Sequence, residues 1–241
     1  MLKKNKSIYI LPNFFTSLNA LCGFYSIISS MRGNYVAAAT SILVAMLFDI
    51  MDGRVARMTH SESKFGMEYD SLSDLISFGL APAMLIYSWI LPQSGRVGWL
   101  SAFVFAICGA LRLARFNVAE NHDPKFFTGL PIPAGAFIIS TWYLFCNHMG
   151  YQGKIIEIIS LLFLYILAFL MVSNVKYPCF KKADKNHKIH FNLLVSLILM
   201  LVLIVLEPQI SLFSVALVYF FSGLVIFVKR MRKNKSIVHI D

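Results

Sequence analysis

Apolar runs recur along almost the whole chain, separated by short polar breaks that hold Gly, Pro, Lys or Arg. Each run is roughly 17 to 25 residues long, about what a helix needs to cross ~30 Å of hydrocarbon. The pattern predicts eight spans, at about 14–31, 35–57, 67–91, 97–118, 130–148, 154–174, 191–206 and 210–228. Glu207 and Pro208 separate the last two spans, or mark the tip of a re-entrant hairpin. The expected fold class is therefore all-α: a polytopic transmembrane helix bundle of about eight spans. Residues 1–13 form a short N-terminal interfacial helix, and 14–241 form one transmembrane domain with no internal repeat or long linker.

Composition supports this reading, with 58% hydrophobic and only 14% charged residues. With an even number of spans, both termini lie on one side. That side collects 19 of the 22 Lys and Arg residues, leaving Arg32, Arg96 and Lys154 for the other. The positive-inside rule then puts the termini in the cytoplasm, with the plasma membrane as the default location. The net charge of +10 reads as topology and anionic-lipid attraction, not as a nucleic-acid footprint. The basic start resembles a signal peptide, but Pro12, Asn13, Thr16 and Asn19 interrupt it and no small-residue cleavage site follows. Cys22, Cys108, Cys146 and Cys179 show no paired spacing and read as free thiols. His187 and His190, three apart in a lysine-rich loop, read as solvated.

Between the second and third spans stands "DIMDGRVARMTHSESKFGMEYDSLSD", residues 49–74. Asp49 and Asp52 are i,i+3 and Asp70 and Asp74 are i,i+4, so each pair projects from one helix face. A turn between two antiparallel helices would bring the four carboxylates together. The plainer reading is a set of solvated helix caps. Against it, both pairs begin inside the apolar periodicity, where an ionised Asp costs ~2.5 to 3.5 kcal/mol on insertion scales. Two divalent cations would balance four carboxylates, and oxygen ligands without His or Cys favour Mg²⁺, Mn²⁺ or Ca²⁺ over zinc. Paired ions of this kind serve displacement at phosphorus. The residues between fit a phosphate ligand. Gly53 and Ala56 lack bulk, Arg57 offers a bidentate fork, and Gly66 makes room one turn before Asp70. Ala37, Ser41, Ala45, Asp49 and Gly53 form a small-residue stripe spaced by four.

The spacing from Asp49 through Gly53, Arg57, Gly66 and Asp70 to Asp74 resembles the signature of the CDP-alcohol phosphotransferase family at every fixed position. The resemblance implies a membrane enzyme, expected to act as a homodimer, that displaces CMP from a CDP-linked lipid by an alcohol hydroxyl. It implies that Asp49, Asp52, Asp70 and Asp74 hold two divalent cations, Mg²⁺ or Mn²⁺, and that Asp74 is the base. It places Gly53, Arg57 and Ser63 on the CDP-lipid. No evident protein nucleophile stands nearby, which favours one direct in-line displacement.

The acceptor must be read from elsewhere. Arg112 and Arg115, i,i+3 on the same side as the aspartates, either anchor the membrane surface or form an anion pocket, with Asn117 adding a polar contact. The stretch "GLPIPAGA" breaks and restarts a helix, lining the site or simply opening the fifth span. Together with "PNFFTSLNALCGF", this region resembles the phosphatidylserine synthase branch of the family over most of residues 10–140. That resemblance implies CDP-diacylglycerol and L-serine as substrates. Rival acceptors are glycerol 3-phosphate, inositol or its phosphate, and choline. A divalent-cation transporter is the rival of another class, disfavoured by Arg57 among the carboxylates and by their place at a span end. A catalytically dead scaffold is disfavoured by the complete signature.

Overall fold

The computed structural model describes residues 10–59, 61, 63–118, 126–178, 202–203 and 205–237. They form α1 (Ile10–Met31), α2 (Tyr35–Met58), α3 (Lys64–Asp74), α4 (Ala81–Ile90), α5 (Gly95–Val118), α6 (Ile132–Met149), α7 (Lys154–Val172) and α8 (Pro208–Ile237). A π-helical stretch, Leu75–Leu80, joins α3 to α4, and a 3₁₀ turn, Pro92–Ser94, precedes α5. Two three-residue strands are the one departure from helix among the described residues: β1 (Phe126–Thr128) pairs antiparallel with β2 (Lys176–Pro178).

Five helical stretches are long and apolar enough to cross a membrane: Ile10–Met31, Tyr35–Met58, Lys64–Ile90, Pro92–Val118 and Lys154–Val172. They coincide with five of the expected spans. α6 occupies the expected span at 130–148 but is not among these five, with Asn147 and His148 in its last turn. It packs against α2, α4 and α8, and 11 of its 18 residues are buried, including Ser140, Thr141 and Trp142. A helix enclosed by protein on most sides needs no continuous apolar face. α8 begins with an apolar stretch, Pro208–Gly223, close to the expected last span. The expected span 191–206 lies almost entirely outside the described residues, as do Cys179, His187 and His190. Of the expected interfacial segment, residues 1–9 lie outside too, and Ile10–Asn13 form the first turn of α1.

α1 is amphipathic in the inverted sense. Its buried residues are Pro12, Thr16, Asn19, Gly23, Ser26, Ser29 and Ser30, whereas Phe14, Leu21, Phe24 and Tyr25 face outward. In lipid this arrangement is sound, because hydrocarbon is as apolar as leucine and helices associate through small residues and hydrogen bonds. Gly23 shows how close the approach is, since a Cβ there would stand 2.6 Å from the Cα of Ser77. Ser73 Oγ donates to Thr16 O (3.0 Å) and Ser77 Oγ to Asn19 O (2.9 Å), fastening α1 to the third span.

α2 packs along α1, and its buried residues are Ala38, Ala39, Ile42, Ala45 and Asp52. Of the expected four-spaced stripe, only Ala45 is fully buried. At 3.6 residues per turn a four-residue step drifts by about 40°, so such a stripe winds off the contact line. The π stretch follows from Pro82: a proline in a helix lacks its N–H and clashes with the carbonyl four residues back. Widening the preceding turn, where Ala81 N–H reaches Ile76 O, relieves that conflict.

Candidate active site

The end of α2, the turn after it and the start of α3 bring the signature residues together. Ser63 caps α3 by accepting a hydrogen bond from Gly66 N at 3.0 Å. The chain thus turns back within a few residues, and α3 faces α2. The carboxylates of Asp49, Asp70 and Asp74 each offer an oxygen within 4.8 Å of the others. Asp52 stands beside this trio on the wall of an adjoining cavity that it shares with Asp70. Asp52 and Asp74 are buried, Asp49 and Asp70 half-buried.

α1 fixes two of these groups. Thr16 Oγ1 donates to Asp52 Oδ2 (2.9 Å), and Asn19 Nδ2 donates to Asp74 Oδ1 (3.1 Å). Thr16 and Asn19 therefore belong to the site, although the sequence reading took them only as interruptions of a leader-like run. The available signal was polar residues one helical turn apart inside an apolar segment.

Among the described residues no ion pair involves any of the four aspartates, and Asp70 Oδ1 and Asn19 Oδ1 are buried without a hydrogen-bond partner. Oxygen-only donors, unneutralised charge and an orphaned carboxylate oxygen fit a hard divalent cation.

The cavity, about 300 Å³, lies between α1, α2 and α3. Gly53, Ala56 and Arg57 line it from α2, Asn13 and Thr16 from α1, and Ser61, Ser63, Gly66 and Asp70 from the turn and α3. A Cβ on Gly53 would lie 3.5 Å from an Arg57 guanidinium nitrogen, so the arginine is laid along the glycine face. A Cβ on Gly66 would crowd Ser63 Oγ at 3.1 Å and approach Asn13 Oδ1 at 3.6 Å. All five residues singled out for the donor thus share one cavity. Ser63 spends its hydroxyl on the helix cap, and Asn13 and Ser61 were not foreseen.

The two arginines of α5 part company. Arg112 is buried at 7% exposure, within electrostatic range of Asp74, and its Nε has no hydrogen-bond partner among the described residues. Arg115 donates to the carbonyls of Val172 (2.9 Å), Thr128 and Met171 (3.1 Å each) and Ser173 (3.4 Å). It clamps the end of α7 to the loop before α6. Gly129, at φ +78°, fits beneath it where a Cβ would meet Met171 O at 2.4 Å. Asn117 Nδ2 donates to Glu68 Oε2 and Ser71 Oγ, both at 3.1 Å, bracing α5 against α3 on the outside of the site.

This arrangement, carboxylates from two consecutive helices clustered beside a cavity that Asp52, Arg57, Ser61 and Asp70 help to line, is matched by known sequences. The chain belongs to the CDP-alcohol phosphatidyltransferase family, whose pattern it matches over residues 9–172. It is 40% identical over 196 residues to the CDP-diacylglycerol–serine O-phosphatidyltransferase of Helicobacter pylori (strain ATCC 700392 / 26695), covering 81% of this chain and 83% of the relative. It is 42% identical over 178 residues to the archaetidylserine synthase of Methanothermobacter thermautotrophicus, covering 73% and 72%. A Bacillus subtilis CDP-diacylglycerol–serine O-phosphatidyltransferase is 36% identical over 176 residues, 71% of this chain and 92% of that one.

Proposed function

We propose that the protein transfers the phosphatidyl group of CDP-diacylglycerol to L-serine, forming phosphatidylserine and CMP. The observation that carries the acceptor assignment is Arg112. A buried guanidinium near Asp74, with an N–H unpartnered among the described residues, is suited to a carboxylate, which a charge-assisted bond would hold beside the base. The bacterial and archaeal relatives, whose names specify serine as acceptor or a serine lipid as product, support the same reading.

Asp74 is the base. Asn19 holds its Oδ1, and the carboxylate takes the proton from the serine hydroxyl. The serine oxygen, freed of its proton, attacks the lipid phosphorus, the phosphorus–oxygen bond to CMP breaks, and CMP departs with the electron pair into the cavity lined by Arg57. Arg57 faces the nucleotide phosphates there, Gly53, Ala56 and Gly66 admit them close to the backbone, and Ser63 holds the turn in shape. Two divalent cations, Mg²⁺ or Mn²⁺, held by Asp49, Asp52, Asp70 and Asp74, would stabilise the attacking and leaving oxygens. Arg115 and Asn117, first weighed as acceptor contacts, act here through the scaffold.

In this reading the chain is one transmembrane domain crossing eight times and working as a homodimer. Both termini and the aspartates face the cytoplasm from the plasma membrane, consistent with the bias of basic residues. The test is CMP release by detergent-purified protein given CDP-diacylglycerol and Mg²⁺ or Mn²⁺, with serine, glycerol 3-phosphate, inositol and choline offered separately. Release with serine alone is expected, and release with another alcohol alone overturns the acceptor.

A further inference from the structure

A second polar cavity, of about 480 Å³, lies where four helices start or stop. Tyr35 opens α2, Trp89 stands at the end of α4, Tyr143 in the last two turns of α6, and Lys154 and Glu157 in the first turn of α7. Tyr35 and Asp52 stand near opposite ends of α2, roughly 25 Å apart by the α-helical rise. The cavity is therefore at headgroup level on the membrane face away from the aspartates, and the transfer reaction does not reach it.

Its lining divides into an anionic and a cationic part. Glu157 is buried, and both of its donors, Lys154 Nζ at 2.8 Å and Ser94 Oγ, use Oε1, so Oε2 accepts no hydrogen bond among the described residues. Beside it stand three rings. Trp89 and Tyr143 have centroids 5.0 Å apart at 81°, and Tyr35 and Tyr143 6.0 Å apart at 70°. Aromatic faces attract a cation, and a carboxylate oxygen with a spare lone pair accepts an ammonium N–H. The cationic part is Lys154, whose side chain is largely exposed, together with the start of α7. Gly153 lines the cavity just before that start, where unpaired N–H groups and the helix dipole favour an anion.

The paired charges leave no call for a metal ion. The complementary ligand carries both signs, an ammonium and a phosphate joined by a short linker, and at headgroup level a phospholipid supplies it. We propose that this cavity binds the headgroup of a zwitterionic phospholipid, its primary ammonium on Glu157 Oε2 and the rings and its phosphate on Lys154 and the first turn of α7. This goes beyond the transfer reading and stands independently of it. A lipid so held ties together the ends of α2, α4, α6 and α7, and by linkage it stabilises the folded chain.

The test follows the unfolding temperature of the detergent-purified full chain as dihexanoyl phosphatidylethanolamine, dihexanoyl phosphatidylglycerol or free phosphoethanolamine is added. A concentration-dependent rise is expected with the ethanolamine lipid and not with the other two at the same concentrations. Glu157→Gln removes the anionic partner, and Gln152→Trp fills the cavity from an exposed lining position. Each variant is expected to need about ten times more ethanolamine lipid for the same rise. Gln152→Trp, in the loop before α7, keeps the test decisive if Glu157→Gln does not fold. An equal rise with the glycerol lipid, no rise with any probe, or an unchanged response in a folded variant overturns the proposal. The same rise with phosphoethanolamine alone overturns the lipid as occupant.

Discussion

Two ends of this bundle bury carboxylates, and they treat them differently. At the end away from the signature, Glu157 is 4% exposed and is answered at once: Lys154 Nζ lies 2.8 Å from Oε1, and Ser94 Oγ donates to the same oxygen. At the signature end Asp49, Asp70 and Asp74 crowd together with Asp52 beside them, two of the four buried, with Thr16 and Asn19 donating to Asp52 and Asp74 and no ion pair among the described residues. Both ends also carry cavities, of about 300 Å³ at the signature and 480 Å³ beside Glu157. Cavity size therefore does not separate them, and charge balance does. A buried acid paired along its own helix is already balanced, while buried acids without a partner cation are expected to draw one from outside.

The sharpest break in that comparison is Asp74→Asn against Glu157→Gln. Loss of a general base costs about 10² to 10⁴-fold in rate. Asp74→Asn is therefore expected to lose turnover on that scale while still binding CDP-diacylglycerol, and Glu157→Gln to keep its turnover. Near-normal CMP release by the purified Asp74→Asn protein would remove Asp74 from the mechanism.

Cation removal separates the ends in a second way. EDTA is expected to abolish CMP release and to lower the unfolding temperature, with both restored by Mg²⁺ or Mn²⁺. An ion at a hundredfold excess over its Kd contributes about 2.7 kcal/mol. Glu157→Gln should show the same cation-dependent temperature shift as the unmodified protein. A shift that survives Asp49→Asn with Asp70→Asn would place the ion elsewhere.

Arg112 and Arg115 repeat the contrast one turn apart. Arg112→Ala is expected to raise the serine KM by roughly 10- to 100-fold, since a hydrogen bond to a charged group is worth about 1.5–3 kcal/mol. The donor KM should move far less. Arg115→Ala frees four carbonyls and should lower thermal stability without a selective effect on serine. Equal changes in both KM values for Arg112→Ala would return that arginine to the donor or the membrane.

The smallest expected effect is at α1. Thr16→Val keeps shape and removes the bond to Asp52 but leaves the carboxylate itself, so most of the cost falls on stability and turnover is expected to drop only about two- to tenfold. No change in CMP release would mean that Asp52 holds its place unaided.

What was legible in the sequence follows from where the information lies. Asp49, Asp52, Asp70 and Asp74 announce themselves because charge inside an apolar period has few explanations, and their spacing fixes the face. Thr16 and Asn19 carried the same kind of signal more weakly, since hydroxyl and amide groups interrupt an apolar run without breaking it. The fate of Arg115 was not legible, because its partners are main-chain carbonyls at 128 and 171–173, and any residues there would carry them. The cavity beside Glu157 needs the ends of α2, α4, α6 and α7 in place, residues from 35 to 157, and no local pattern encodes that meeting. Five of the expected spans were readable from their apolar runs, while α6 was harder to grade because burial by its neighbours relaxed its need for an apolar exterior.

The inverted face of α1 bears on how the protein is made. With a mean hydropathy of 1.2 it is the least apolar of the five long helices, and it is the first to leave the ribosome. On its own in a bilayer it would present Thr16, Asn19 and three serines to hydrocarbon. It becomes a comfortable resident only when α2 and the third span arrive with Asp52, Ser73, Asp74 and Ser77. Insertion of α1 is then expected to depend on the arrival of α2 and α3, and a chain in which that hairpin fails to insert is expected to leave the polar face of α1 exposed to lipid.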